Sequence, residues 1–125
     1  MIVRSRDEVR AVEWGNGTSF RYLLQDDRMG FTVCHTVVRA GTKSQLEYRR
    51  HLEACYCLAG RGTVATADGS ASYDLRPGVL YALDEHDAHF LIADPGADLE
   101  LISVFSPALR GDERHNLSAD GFSQY

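Results

Sequence analysis

The sequence predicts an all-β protein, a single-domain antiparallel sandwich or barrel with a short N-terminal helix, and three observations carry that expectation. Short runs rich in β-branched and aromatic residues recur along the chain at the spacing of sheet proteins. Most of the eleven glycines fall between those runs rather than inside them. Helix signals are confined to the start, where Ser5-Arg6-Asp7-Glu8 ahead of Val9 has the spacing of a capping box and predicts a peripheral helix over residues 6–10.

In order, a strand over residues 20–24 is stopped by the polar turn Gln25-Asp26-Asp27-Arg28, and a longer one over 31–39 ends at Ala40-Gly41. Residues 54–58 form a strand that meets the glycine turn Ala59-Gly60-Arg61-Gly62. Residues 63–67 run into Asp68-Gly69, a two-residue hairpin signal, and 71–75 pair back. Arg76-Pro77-Gly78 turns the chain into a strand over 79–83; strands over 89–93 and 99–105 follow an acidic loop and Asp94-Pro95-Gly96-Ala97-Asp98. From Ser106 on the residues are polar and carry no strand signal, so 106–125 is expected to be a tail that closes over the domain as a lid or frays.

Composition narrows the function. At 125 residues and 44 % hydrophobic, the chain has the size of one domain over 1–125 with one core. Thirteen basic against eighteen acidic residues leave a net charge of −5, and the basic residues are scattered, which argues against a nucleic-acid partner. No apolar run approaches the roughly 20 residues of a membrane span, and the segment Met1-Ile2-Val3-Arg4-Ser5-Arg6-Asp7-Glu8 lacks the apolar stretch of a signal peptide, so a cytoplasmic protein is expected. Cys34, Cys55 and Cys57 are expected to be buried free thiols, the last two side by side on one strand face.

Three places hold groups suited to chemistry. In His51-Leu52-Glu53-Ala54, a carboxylate enters an apolar strand and needs a cation or a donor to offset its burial; a salt bridge from Glu53 to an arginine is the alternative to a metal. After Pro77-Gly78 a tight turn delivers Tyr81, readable as a core tyrosine with its hydroxyl paired. In Asp84-Glu85-His86-Asp87-Ala88-His89, His89 stands at a strand mouth where a ligand belongs, whereas His86 reads as solvated.

Taken together these places resemble the cupin pattern. Gly41, Glu53 and Gly60 keep the spacing of the first cupin motif, with Glu47 and Arg49 at its two histidine positions; Pro77-Gly78-Val79-Leu80-Tyr81 is the second motif shortened by one, with tyrosine in place of histidine. A three-histidine metal site is thereby excluded. The stretches Met29-Gly30-Phe31, His51-Leu52-Glu53-Ala54, residues 76–84, His86-Asp87-Ala88-His89 and Val104-Phe105-Ser106-Pro107 resemble ectoine synthases, from Met1 to about His115. The resemblance implies a single jelly-roll-like cupin barrel that forms a homodimer. It also implies ferrous iron, Fe(II), on Glu53, Tyr81 and His89, and cyclisation of N-γ-acetyl-L-2,4-diaminobutyrate to ectoine with loss of water.

The same resemblance marks Trp14, Arg21, Thr36 and Phe105 for substrate binding, and Tyr48, His51, Glu113 and His115 for catalysis, the last two only if the tail folds over the mouth. Trp14 and Phe105 read otherwise as core or lid packing, and Arg21 and Thr36 as a surface pair or strand filler. Arg49-Arg50 replaces a Gln-Asn or Arg-Asn pair usual in the family, Ser103 stands where cysteine is common, and Ser106-Pro107-Ala108 replaces Asn-Pro-Pro. Two other readings stay open: a related cupin acting on a different N-acetylated diamino acid, and a cupin that binds a small molecule without turning it over.

Overall fold

Side chains alternate inward and outward along most strands of the computed structural model, which describes residues 1–113, 116–117 and 123–124. In chain order the strands are β1 (Arg10–Glu13), β2 (Gly17–Leu23), β3 (Thr32–Val38), β4 (Lys43–Leu46), β5 (Leu52–Ala59), β6 (Gly62–Thr66), β7 (Ser72–Leu75), β8 (Leu80–Leu83), β9 (His89–Ala93), β10 (Leu99–Ser106), β11 (Asn116–Leu117) and β12 (Ser123–Gln124). They form two six-stranded sheets, β1-β2-β3-β10-β5-β8 and β11-β12-β4-β9-β6-β7. Every pairing is antiparallel except the short contact of β12 with β4. The core draws on both sheets, with Val38, Cys55, Cys57, Leu99 and Leu101 from the first meeting Leu46, Leu75, Leu91 and Ala93 from the second. All three cysteines are free and buried, as expected.

The structure corrects several expectations at the ends of elements. The N-terminal helix is only a 3-10 turn over Arg6–Glu8, and Arg10 already belongs to β1. The capping geometry is present, with Ser5 N donating to Glu8 Oε2 at 3.3 Å, but one turn makes too few backbone bonds to propagate a helix. Arg4 then pins the N-terminal segment by a bidentate pair with Asp27 at 2.7 and 2.9 Å. Strand β4 was not expected, because three of the four residues in Lys43-Ser44-Gln45-Leu46 are polar; only Ser44 and Leu46 turn inward. The Asp68-Gly69 hairpin is wider than a two-residue loop, since Ala65 pairs with Ser72 and Thr66 N donates to Ala71 O. The tail contributes the short strands β11 and β12, contrary to the expectation of none.

One close approach needs glycine. A Cβ on Gly17 would lie 1.8 Å from Val37 O, so only glycine lets β2 lie against β3 at this level. Trp14 N donates to Gly17 O at 3.0 Å and its indole Nε1 to Val37 O at 3.3 Å, which turns the β1–β2 corner and swings the indole into the core. No helix among the described residues is long and apolar enough to cross a membrane.

Candidate active site

Period-two alternation on β5 sends Glu53, Cys55 and Cys57 inward, and the antiparallel register sets Cys55 opposite Tyr81 on β8 and opposite Ser103 on β10. His89 enters from the other sheet, opposite Leu46 on β4 and Thr66 on β6. Glu53 and Tyr81 therefore face His89 across the interior, and the Tyr81 and His89 rings lie 6.4 Å apart. A narrow cavity of about 20 Å³ lies beside Glu53 and Tyr81, lined by Trp14, Thr36, Tyr48, Glu53, Cys55, Tyr81, Ser103 and Phe105 with Leu46, Leu91 and Leu101. With the side chains as placed, this is room for about one water molecule.

Burial pushes all three groups toward their neutral forms. Burial pushes the Glu53 carboxyl up to about 8, against a partial offset from Cys55. Burial likewise raises the Tyr81 phenol, with Cys55 and Glu53 adding to the effect, and lowers the His89 imidazole. No ion pair reaches Glu53 among the described residues; Arg49 pairs with Glu47 at 2.6 Å instead, so the salt-bridge alternative is not realised. The carbonyl of Asp87 accepts from His89 Nδ1 at 2.9 Å, and a carbonyl can only accept. Nδ1 therefore carries the hydrogen and Nε2 keeps its lone pair, the arrangement of a metal-ligating histidine. Among the described residues, His89 Nε2 and Glu53 Oε1 are the buried side-chain polar atoms with no hydrogen-bond partner. Such atoms are costly unless something binds them. One carboxylate, one phenol and one imidazole form an oxygen and nitrogen donor set that fits Fe(II).

The remaining expected residues divide into a lining and a rim. Trp14, Thr36, Tyr48 and Phe105 line the cavity, Tyr48 packing edge-on to Phe105 at 5.2 Å. His51 does not share the inward face of Glu53: it precedes β5, packs edge-on to Phe105 at 6.3 Å, and gives its Nδ1 hydrogen to Pro107 O at 2.8 Å. Arg21 is fully buried but turned to the beginning of the tail, donating to Gly111 O at 3.0 Å and Glu113 O at 2.6 Å. The Glu113 carboxylate accepts from the backbone of Arg110 and Gly111; burial opposes its ionisation, but these bonds and Arg21 hold it below the ordinary range. His115 lies outside the described residues. His86, read as solvated, is a clamp: its Nδ1 faces Tyr48 O at 2.8 Å and His51 O at 3.1 Å, tying the loop before β9 to the segment before β5. Sequence reasoning did not mark Cys55 as a cavity residue, although its place two residues beyond Glu53 on the same strand is the signal.

Comparison with known proteins places the chain in a family. The family model described as ectoine synthase matches residues 1–122. The chain belongs to the ectoine synthase family. An L-ectoine synthase from Bordetella avium is 42 % identical over 120 residues, covering 96 % of this chain and 86 % of that one. The crystal structure of ectoine synthase from P. lautus superposes with a TM-score of 0.82 at 36 % identity, covering 89 % of this chain and 81 % of that chain. A cupin 2 conserved barrel domain protein from Salinispora arenicola shares the fold alone, with a TM-score of 0.69 at 17 % identity over 85 % of this chain and 88 % of that one. The all-β cupin architecture expected of the sequence is thereby established.

Proposed function

We propose that this protein closes N-γ-acetyl-L-2,4-diaminobutyrate to the cyclic amidine ectoine with loss of water, with Fe(II) held by Glu53, Tyr81 and His89. The observation that carries the reading is the pair of buried partnerless atoms, Glu53 Oε1 and His89 Nε2, beside Tyr81 on the cavity wall. The L-ectoine synthases that the chain resembles supply the reaction. Bound at these residues, iron supplies a Lewis acid for the amide carbonyl and for departure of its oxygen.

In the reaction the α-amine, as free base, attacks the acetamide carbon. The new C–N bond closes the ring, the C–O bond breaks, and the oxygen leaves as water with two protons shed by the nitrogens. Trp14, Thr36 and Phe105 wall the curled chain and exclude bulk water, so positioning carries part of the rate. His51, whose Nδ1 hydrogen is committed to Pro107 O, offers Nε2 as a proton acceptor at the rim, and Tyr48 offers a hydroxyl from the lining. Arg21, Glu113 and His115 enter the reading through the tail, whose beginning Arg21 anchors. A homodimer in the cytoplasm completes it, and light scattering on the eluted protein tests the dimer.

The test is anaerobic incubation of Fe(II)-loaded protein with N-γ-acetyl-L-2,4-diaminobutyrate beside a metal-stripped control, following ectoine by chromatography. Metal-dependent ectoine formation is expected. No product from folded, iron-loaded protein would overturn the reading in favour of a cupin with a different N-acetylated diamino acid or one that only binds.

A further inference from the structure

His86, in the loop between β8 and β9, sits at φ +55°, the left-handed region that a residue with a side chain rarely occupies. Such residues persist only where their surroundings hold them, and they gather at functional sites. What holds His86 is its ring. Carbonyls only accept, so Nδ1 carries the hydrogen and donates it to both Tyr48 O at 2.8 Å and His51 O at 3.1 Å. Both carbonyls belong to residues 47–51, the linker between β4 and β5, which the strand ladders do not reach. That linker carries the two residues read as moving protons. Tyr48 meets Phe105 edge-on at 5.2 Å from the cavity lining, and His51 meets the same ring edge-on at 6.3 Å from the rim. Two carbonyls of one short linker that converge on a single hydrogen fix the turn between them, and with it the placement of both side chains. Across the loop, the His89 ring lies 6.4 Å from that of Tyr48. Its own Nδ1 donates to Asp87 O at 2.9 Å, so His89 keeps its orientation without His86.

We propose that His86 is a positioning residue for ring closure: one imidazole hydrogen holds the backbone of Tyr48 and His51 so that both side chains stand ready at the reacting amine. This rests on the ectoine-forming reading and deepens it. The amine sheds protons as the ring forms, so an acceptor must stand within hydrogen-bond reach at that moment. A linker free to turn would carry Tyr48 and His51 out of reach. It would leave Trp14 and Thr36, which stand elsewhere in the fold, to hold the substrate, so the loss falls on kcat rather than on KM.

Three substitutions separate the backbone from the donor. Glycine at this position keeps the left-handed conformation and removes the hydrogen. Asparagine tolerates the same conformation, and its amide nitrogen offers two hydrogens, one for each carbonyl. On Fe(II)-loaded protein with N-γ-acetyl-L-2,4-diaminobutyrate, His86→Gly is expected to lower kcat roughly tenfold to a hundredfold, the cost of a misplaced group, while KM moves less than about threefold and iron content is unchanged. His86→Asn is expected to restore kcat to within about threefold of wild type. His86→Asp tolerates the conformation but only accepts, so it takes the place of the glycine variant if that one does not fold. The loss caused by His86→Gly is also expected to shrink in a Tyr48→Phe or a His51→Ala background, where a group that it positions is already gone. A loss that His86→Asn does not restore, or one equally large in both backgrounds and in wild type, would make His86 a brace of the fold alone and overturn the proposal. So would a wild-type kcat in His86→Gly, or a rise in KM without a fall in kcat. A wild-type enzyme that forms no ectoine would instead overturn the reading on which the proposal rests.

Discussion

Glu53 is a carboxyl in a place where a carboxylate has no partner, and His89 is an imidazole whose second nitrogen is aimed at the same interior. Neither is stabilising on its own; the cation proposed to bind them together with Tyr81 would compensate both. Glu53→Ala, Tyr81→Ala and His89→Ala are each expected to lower bound iron and ectoine formation together while the far-ultraviolet spectrum stays that of a sheet protein. Full iron occupancy in the Tyr81 variant would remove tyrosine from the ligand set. The same groups set a pH dependence for metal-stripped protein. Glu53, raised to about 8 when folded against 4.5 ordinarily, holds a proton that the unfolded chain has released, so stability falls as pH rises through that window. His89, lowered from 6.5 when folded, refuses a proton that the unfolded chain takes up, so stability also falls as pH drops below 6.5. Melting temperatures across pH should show the loss between about 4.5 and 8 in wild type and its disappearance over that window in Glu53→Gln.

At the scale of elements, the site depends on corners and clamps some distance from the chemistry. Gly17→Ala would drive a Cβ into Val37 O, so β2 must part from β3 and withdraw Trp14 from the cavity wall. A loss of about 3 kcal/mol or more is expected in urea unfolding; a melting curve equal to wild type would show that the β2–β3 pair yields more easily than its geometry implies. The tail is tied down differently, through Arg21 donors to the carbonyls of Gly111 and Glu113 and through Glu113 acceptors for the backbone of Arg110 and Gly111. Because these bonds run to the tail's backbone and not to Glu53, Tyr81 or His89, Glu113→Ala is expected to reduce turnover with iron content unchanged, and iron analysis beside the rate measurement checks it. Turnover equal to wild type would make the tail a bystander.

For the whole molecule, two sheets each supply part of the site, Glu53 and Tyr81 from one and His89 from the other, so a metal held by all three also staples the sheets together. Binding to the folded form alone raises its stability. Fe(II) is expected to raise the melting temperature of wild type and to leave that of His89→Ala unmoved, most clearly above pH 8, where the cation relieves the unpaired Glu53 charge. The sequence by itself determined the class of fold, because period-two patterning and glycine-rich turns are local properties that a strand must obey. Through its spaced motifs it also singled out Glu53, Tyr81 and His89, whose side chains the fold turns to one interior. It left β4 unread, since half of that strand faces water, and the N-terminal helix overread, since a capping box says nothing of how many turns follow. What only the tertiary structure decided was company. Register places Cys55 beside Ser103, Arg21 finds the tail, His86 finds two carbonyls across 35 and 38 residues, and Glu53 finds no arginine among the described residues. These pairings join residues far apart in the chain, and their energies exist only once both sheets have closed around the core.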